Sequence, residues 1–95
     1  MKSLRRRSNY FTKKETIYFI TDPNSKMVKI GITSRSAKDR LKDIAPYCPV
    51  TLVILKTMKG TYMDEKKLHD KFREYHSHNE WFYHKGKLKI FIENI

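Results

Sequence analysis

Apolar and polar positions along this chain change period several times, and each change marks an element. "TIYFIT" (Thr16 to Thr21) is rich in β-branched and aromatic residues, and Asp22-Pro23-Asn24-Ser25 interrupts it with turn formers. "VKIGIT" (Val28 to Thr33) resumes the pattern, which predicts a hairpin with a somewhat long loop. Ser34 or Ser36 can cap a helix over about Ala37 to Ile44, which Pro46 stops, and its core face is Ala37, Leu41 and Ile44. "VTLVIL" (Val50 to Leu55) is almost continuously apolar and suits a strand buried on both sides. Lys59-Gly60-Thr61 closes that strand. Thr61 with Asp64 then forms a capping box for a helix from Tyr62 to about His76, in which Leu68, Phe72 and Tyr75 repeat at helical spacing. A polar loop over His76 to Asn79 and a short aromatic strand or anchor at Trp81 to Tyr83 come next. Gly86 precedes a final amphipathic helix carrying Leu88, Phe91, Ile92 and Ile95. The order ββαβα, a short strand, then α predicts an α+β fold with a small antiparallel or mixed three-stranded sheet flanked by helices.

Composition adds a partner class. The chain of 95 residues suits one small domain, with a basic arm at 1–14 too poor in aliphatic residues to pack and a single domain at 15–95. Its 21 Lys and Arg against 10 Asp and Glu give a net charge of +11, which favours a polyanion, with DNA the first candidate and RNA the second. No window reaches the length of an apolar span, and the first 14 residues lack the hydrophobic centre of a secretory signal, so the expectation is no membrane and an intracellular protein. A bacterial cytoplasm, or the cytoplasm or nucleus of another host cell, fits that expectation. Cys48 stands alone, which excludes an intrachain disulfide and a multi-cysteine zinc site. His69, His76, His78 and His84 follow no usual zinc spacing.

A few residues do not serve packing. Alternation puts Ile17 and Phe19 on one face of the hairpin with Val28, Ile30 and Ile32, and Tyr18 on the other with Lys29, Gly31 and Thr33. The matching register sets Tyr18 across from Gly31 with Lys29 diagonal or beside it, leaving the hydroxyl over open backbone that a ligand can approach. A cationic amine beside a phenol favours its ionised form. A solvent-facing Tyr and Lys on the outer face of a hairpin would need no function at all. Glu65 breaks the apolar line of its helix, and His69 follows one turn later, a pair that can bind a divalent ion or simply hydrogen-bond at a surface. Arg40, beside the core face of the first helix, can hold a phosphate or snorkel to solvent. Trp81 and Phe82 pin the late loop onto the core, and Glu80 can face the same cavity as Glu65.

In the order Tyr18, Lys29-Ile30-Gly31, Arg40, Glu65, the chain resembles the GIY-YIG nuclease superfamily, and "IYFI", "KIGIT", "DRL", "EKKLH" and "EWF" are closest to a reduced viral and microbial branch of it. The resemblance spans Thr16 to about Tyr83. It implies that Tyr18 activates the attacking water, that Lys29, Ile30 and Gly31 form the second motif, that Arg40 contacts the scissile phosphate, and that Glu65 holds one Mg²⁺ or Mn²⁺ ion. Lys29 would keep the Tyr18 phenol acidic, and His69 would orient Glu65 or bind the ion directly. Thr16 stands where glycine is usual and Lys29 where tyrosine is usual. The late asparagine is absent from its place, with Glu80 the nearest polar residue. Gly31, Thr33, Arg35 and Lys38, with Arg5, Arg6 and Arg7 of the arm, complete the expected nucleic-acid contacts. The implied activity is a metal-dependent endonuclease that nicks DNA as a monomer or weak homodimer. The alternatives are a noncatalytic nucleic-acid-binding module and a small viral protein that binds a host protein.

Overall fold

The computed structural model describes residues 13–48 and 50–95, so the basic arm up to residue 12, with Arg5, Arg6 and Arg7, lies outside the described residues. Strands β1 (Glu15–Asp22) and β2 (Met27–Thr33) form the expected hairpin, followed by α1 (Ala37–Ile44), β3 (Val53–Gly60), α2 (Tyr62–Lys71), β4 (His76–His78), β5 (Trp81–Tyr83) and α3 (Gly86–Glu93). The fold is α+β, but the sheet has five strands in the order β3-β1-β2-β5-β4, where the sequence predicts three. Every ladder is antiparallel. One of the two added strands, β5, is the expected short aromatic strand at Trp81 to Tyr83, and the other, β4, comes from the expected polar loop. His76–His78 turns back onto Trp81–Tyr83 through a two-residue turn in which Asn79 takes φ 50°, a left-handed conformation that asparagine tolerates.

Helices cover both faces of the sheet. Ile17, Phe19, Val28, Ile30 and Phe82 point toward Leu68 and Phe72 of α2 and Leu88 and Ile92 of α3. On the opposite face Tyr18 and Ile20 meet Ala37 and Leu52, with Leu41, Ile44, Cys48, Ile54 and Trp81 packed around them. Full burial of one such aliphatic or aromatic side chain stabilises the fold by about 1.5 to 3 kcal/mol, so both faces are needed.

The third strand begins three residues later than the apolar run predicts, and it forms the edge of the sheet. A bulge between Phe19 and Ile20 leaves Leu55 without a partner in the ladder. Alternation along the strand sends Ile54 to one core and Leu55 to the other, which accounts for consecutive apolar residues on a strand that is only half-buried. The second helix stops at Lys71, short of His76, and gives way to a 3₁₀ turn over Arg73–Tyr75 that feeds β4. Both helix starts match the sequence. Ser36 Oγ accepts from Asp39 N at 3.1 Å, Thr61 Oγ accepts from Asp64 N at 3.1 Å, and the Asp64 carboxylate accepts from Thr61 N at 2.9 Å. These Thr61 contacts hold the Asp64 carboxyl below its ordinary pKa. Gly86 opens α3 at φ 58°, with the Tyr75 ring so close that a Cβ there would lie 2.6 Å from its hydroxyl.

Candidate functional site

The site is built where β5 runs out. It pairs with β2 only through Met27, Val28 and Lys29, so one more β2 residue must find other partners on that side. Ile30 N donates to the Glu80 carbonyl at 3.0 Å, and the Ile30 carbonyl accepts from His69 Nε2 at 2.9 Å. This bond requires a proton on Nε2, which leaves Nδ1 of the neutral ring with the lone pair. The edge of Phe82 packs against the same ring, 5.0 Å between centroids.

Glu65 lies one turn before His69, at the end of the apolar stripe that continues through Leu68 and Phe72. A carboxylate takes this end of the stripe, where Ile32 of β2 borders the same cleft. It is 6 % exposed, and no hydrogen bond to it occurs among the described residues. Burial, followed by the charge of Glu80, pushes its pKa up to about 7, against the opposing pull of Lys29 and Lys66. Ligand atoms of Glu65, His69 and Glu80 all lie within 4.8 Å of one another. They line an open cleft of about 490 Å³ together with Ile32, Tyr62, Lys66 and Asn79. One imidazole and two carboxylates suit a hard or borderline divalent cation such as Mg²⁺ or Mn²⁺, and a desolvated carboxylate that opens onto the cleft without a protein donor is one that such an ion would compensate. The residues fit the group.

Glu80 links this cleft to the other face of the sheet. Its carboxylate pairs with Lys29 Nζ at 2.9 Å, and the Lys29 amine also lies 5.8 Å from the centre of the Trp81 ring. Lys29 shares its face with Tyr18, whose partner in the ladder is Gly31, as the apolar pattern predicts. Two expectations change here. The space over Gly31 is not open, because the Tyr18 ring occupies it and a Cβ on Gly31 would lie 2.2 Å from the hydroxyl. Glycine is needed to seat the tyrosine, and both residues are buried. The charge of Lys29, in turn, is directed at Glu80. Arg40, half-exposed on α1, reaches the Tyr18 hydroxyl, and that contact is the main cause of a guanidinium pKa above its ordinary value.

The remaining expected contacts are dispersed. Thr33 is buried, and its hydroxyl accepts from Arg35 N at 3.1 Å. Arg35 is ion-paired to Asp43, while Lys38 is exposed on the first turn of α1. Among the histidines only His69 joins a donor cluster among the described residues, His76 being bonded to the Asn79 carbonyl at 2.7 Å. Asn79, Tyr62 and Lys66 complete the cleft without having been singled out by sequence. Tyr62 carries a legible signal, since it precedes Glu65 by three residues and so shares its helix face. No helix among the described residues is long and apolar enough to cross a membrane.

Comparison with curated proteins and with solved structures yields no match. At the level of protein families the outcome is different. The model of the T5orf172 domain, a domain found in phage and other nuclease-like proteins, matches residues 15–94, and the chain belongs to that family.

Proposed function

We propose that this domain is a divalent-cation-dependent endonuclease of the GIY-YIG type that nicks DNA. One observation carries the reading: Glu65, a residue only 6 % exposed, turns its carboxylate into an open cleft beside two further ligand side chains, with no hydrogen-bond donor to it among the described residues. A partly desolvated carboxylate that no protein donor holds is costly, and a perturbed acid of this kind in a cleft marks a place where a ligand can offset the cost. Membership in a family of nuclease-like proteins and the net charge of +11 are compatible with a nucleic-acid substrate.

A phosphodiester resists water because its own charge repels nucleophiles, so cleavage needs charge neutralisation and an activated water. Glu65, His69 and Glu80 would hold a single Mg²⁺ or Mn²⁺, which would supply Lewis-acid chemistry toward the phosphate. The chain supplies the rest. Arg40 presents a planar, half-exposed guanidinium that can take two phosphate oxygens at once. Drawing that guanidinium toward a phosphate frees the Tyr18 hydroxyl, which is 1 % exposed and engaged by Arg40, to accept a hydrogen bond from water. Lys29 adds positive charge on the same face, and His69, pinned through Ile30, keeps Nδ1 as its lone-pair nitrogen.

A second reading, a nucleic-acid-binding module without catalysis, is favoured by the burial of Tyr18 and by the Lys29–Glu80 pair. Supercoiled plasmid incubated with protein in Mg²⁺, in Mn²⁺ and in chelator, beside Glu65→Ala, separates the two. Metal-dependent nicking that the variant loses supports the nuclease. Intact plasmid with a salt-dependent gel shift supports the binding module.

A further inference from the structure

The Glu80 carboxylate belongs to two arrangements at once. It is 2.9 Å from the Lys29 amine, and a ligand atom of it lies within 4.8 Å of those of Glu65 and His69. We propose that Glu80 is an exchangeable ligand, paired with Lys29 in the cation-free protein and transferred to the cation site with Glu65 and His69 on loading, so that metal binding releases the Lys29 amine on the Tyr18 face. This inference rests on the metal site of the proposed function and adds to it a coupling between the two faces of the sheet.

Geometry makes the exchange small. The Glu80 backbone is fixed by the Ile30 N–H at 3.0 Å, so only side-chain torsions need change. The energetics make it reversible. The Glu80 side chain is 39 % exposed, so water screens one end of its pair with Lys29 and the pair is weak enough to exchange. A divalent ion flanked by the buried Glu65 attracts a second carboxylate more strongly than a single ammonium does, since its charge is double and its surroundings are drier. The partner left behind is not stranded. The Lys29 amine, 5.8 Å from the Trp81 ring centre in the cation-free protein, becomes free to leave the ring and meet an incoming phosphate beside Arg40.

The test is a double-mutant cycle on Mn²⁺ affinity, measured by titration calorimetry on the full chain at fixed pH and salt, for the parent, Lys29→Met, Glu80→Gln and the double variant. Competition predicts that Glu80→Gln weakens binding by about tenfold or more. Lys29→Met should tighten binding about threefold or more, and this gain should largely vanish when Glu80→Gln is also present. Lys29→Arg should keep the parent affinity within about twofold, because the pair is retained. Trp81 is the sole tryptophan, so its emission gives a second signal. Mg²⁺ should shift that emission in the parent and leave it unchanged in Lys29→Met. An equal gain from Lys29→Met in both backgrounds would show a remote charge effect and overturn the exchange. Unchanged affinity in Glu80→Gln, or no Mn²⁺ binding by the parent, would do the same. Plasmid assays on the same preparations separate the failures. Coupled affinities without nicking retain the exchange and refute the nuclease, whereas nicking with uncoupled affinities retains the nuclease and refutes the exchange.

Discussion

Glu65→Gln should make the cation-free protein more stable, and increasingly so as pH rises. The folded state moves the carboxyl from its ordinary 4.5 up to about 7. A raised pKa means that the folded protein holds this proton more tightly than the unfolded chain, so stability is fully present below pH 4.5 and is lost as pH climbs through 7. At 1.36 kcal/mol per pKa unit, the shift sets an upper bound of roughly 3 kcal/mol between the two limits, which solvent screening in the open cleft reduces. Glutamine has nearly the same shape and no charge to bury, so the variant should lack this slope. Urea unfolding in chelator at pH 5 and at pH 8 measures it. The difference between variant and parent should be close to zero or slightly negative at pH 5 and should reach about 2 kcal/mol in favour of the variant at pH 8. Mn²⁺ at about a hundred times its dissociation constant should then raise the parent at pH 8 by about 2.7 kcal/mol and the variant by far less. Parallel pH profiles for the two proteins would refute the assignment of Glu65 as an uncompensated buried acid.

Other expectations can be checked with single variants. Tyr18→Phe should slow nicking by about a hundredfold to ten-thousandfold while DNA affinity in a gel-shift assay stays within about twofold, and an unchanged rate would remove Tyr18 from the chemistry. Gly31→Ala should destabilise the fold by about 1 to 3 kcal/mol in urea titrations, because its Cβ would meet the Tyr18 ring. Combining it with Tyr18→Phe should give little relief, since ring carbon Cζ still lies 2.3 Å from that Cβ position. Thr61→Ala removes the cap on α2 and should cost about 1 kcal/mol by thermal or urea unfolding, with a matching loss in Asp64→Ala that is not additive.

Local patterns were the most legible part of this chain. Apolar alternation in "TIYFIT" and "VKIGIT" is regular enough to set Tyr18 opposite Gly31, because slipping one residue would turn every isoleucine outward. The capping residues Ser36 and Thr61 are likewise local, and they act within three residues of themselves. Glu65 is visible because it interrupts a helical stripe. What sequence does not reveal are contacts made by short or distant elements. β4 has three residues, too few for a period to register, and it forms by pairing with β5, which is itself seated on the edge of β2. The Lys29–Glu80 pair depends on that edge and joins residues 51 apart in sequence. The space over Gly31 reads as open when only the hairpin is considered. Helix α1 covers that face and presses Tyr18 down into it.

Ile30 serves as a benchmark for the whole site. Its N–H fixes the turn that carries Glu80, and its carbonyl fixes the ring of His69, while its side chain is locked in the core. Helix and hairpin are thus surveyed from a single point, and a shift of the central strand carries both donors with it. Errors in placing the two elements become shared displacement, which leaves their separation intact. Precision in so small a protein is obtained by common reference, and a change at Ile30 that moved its backbone would detune the site without replacing any residue in it.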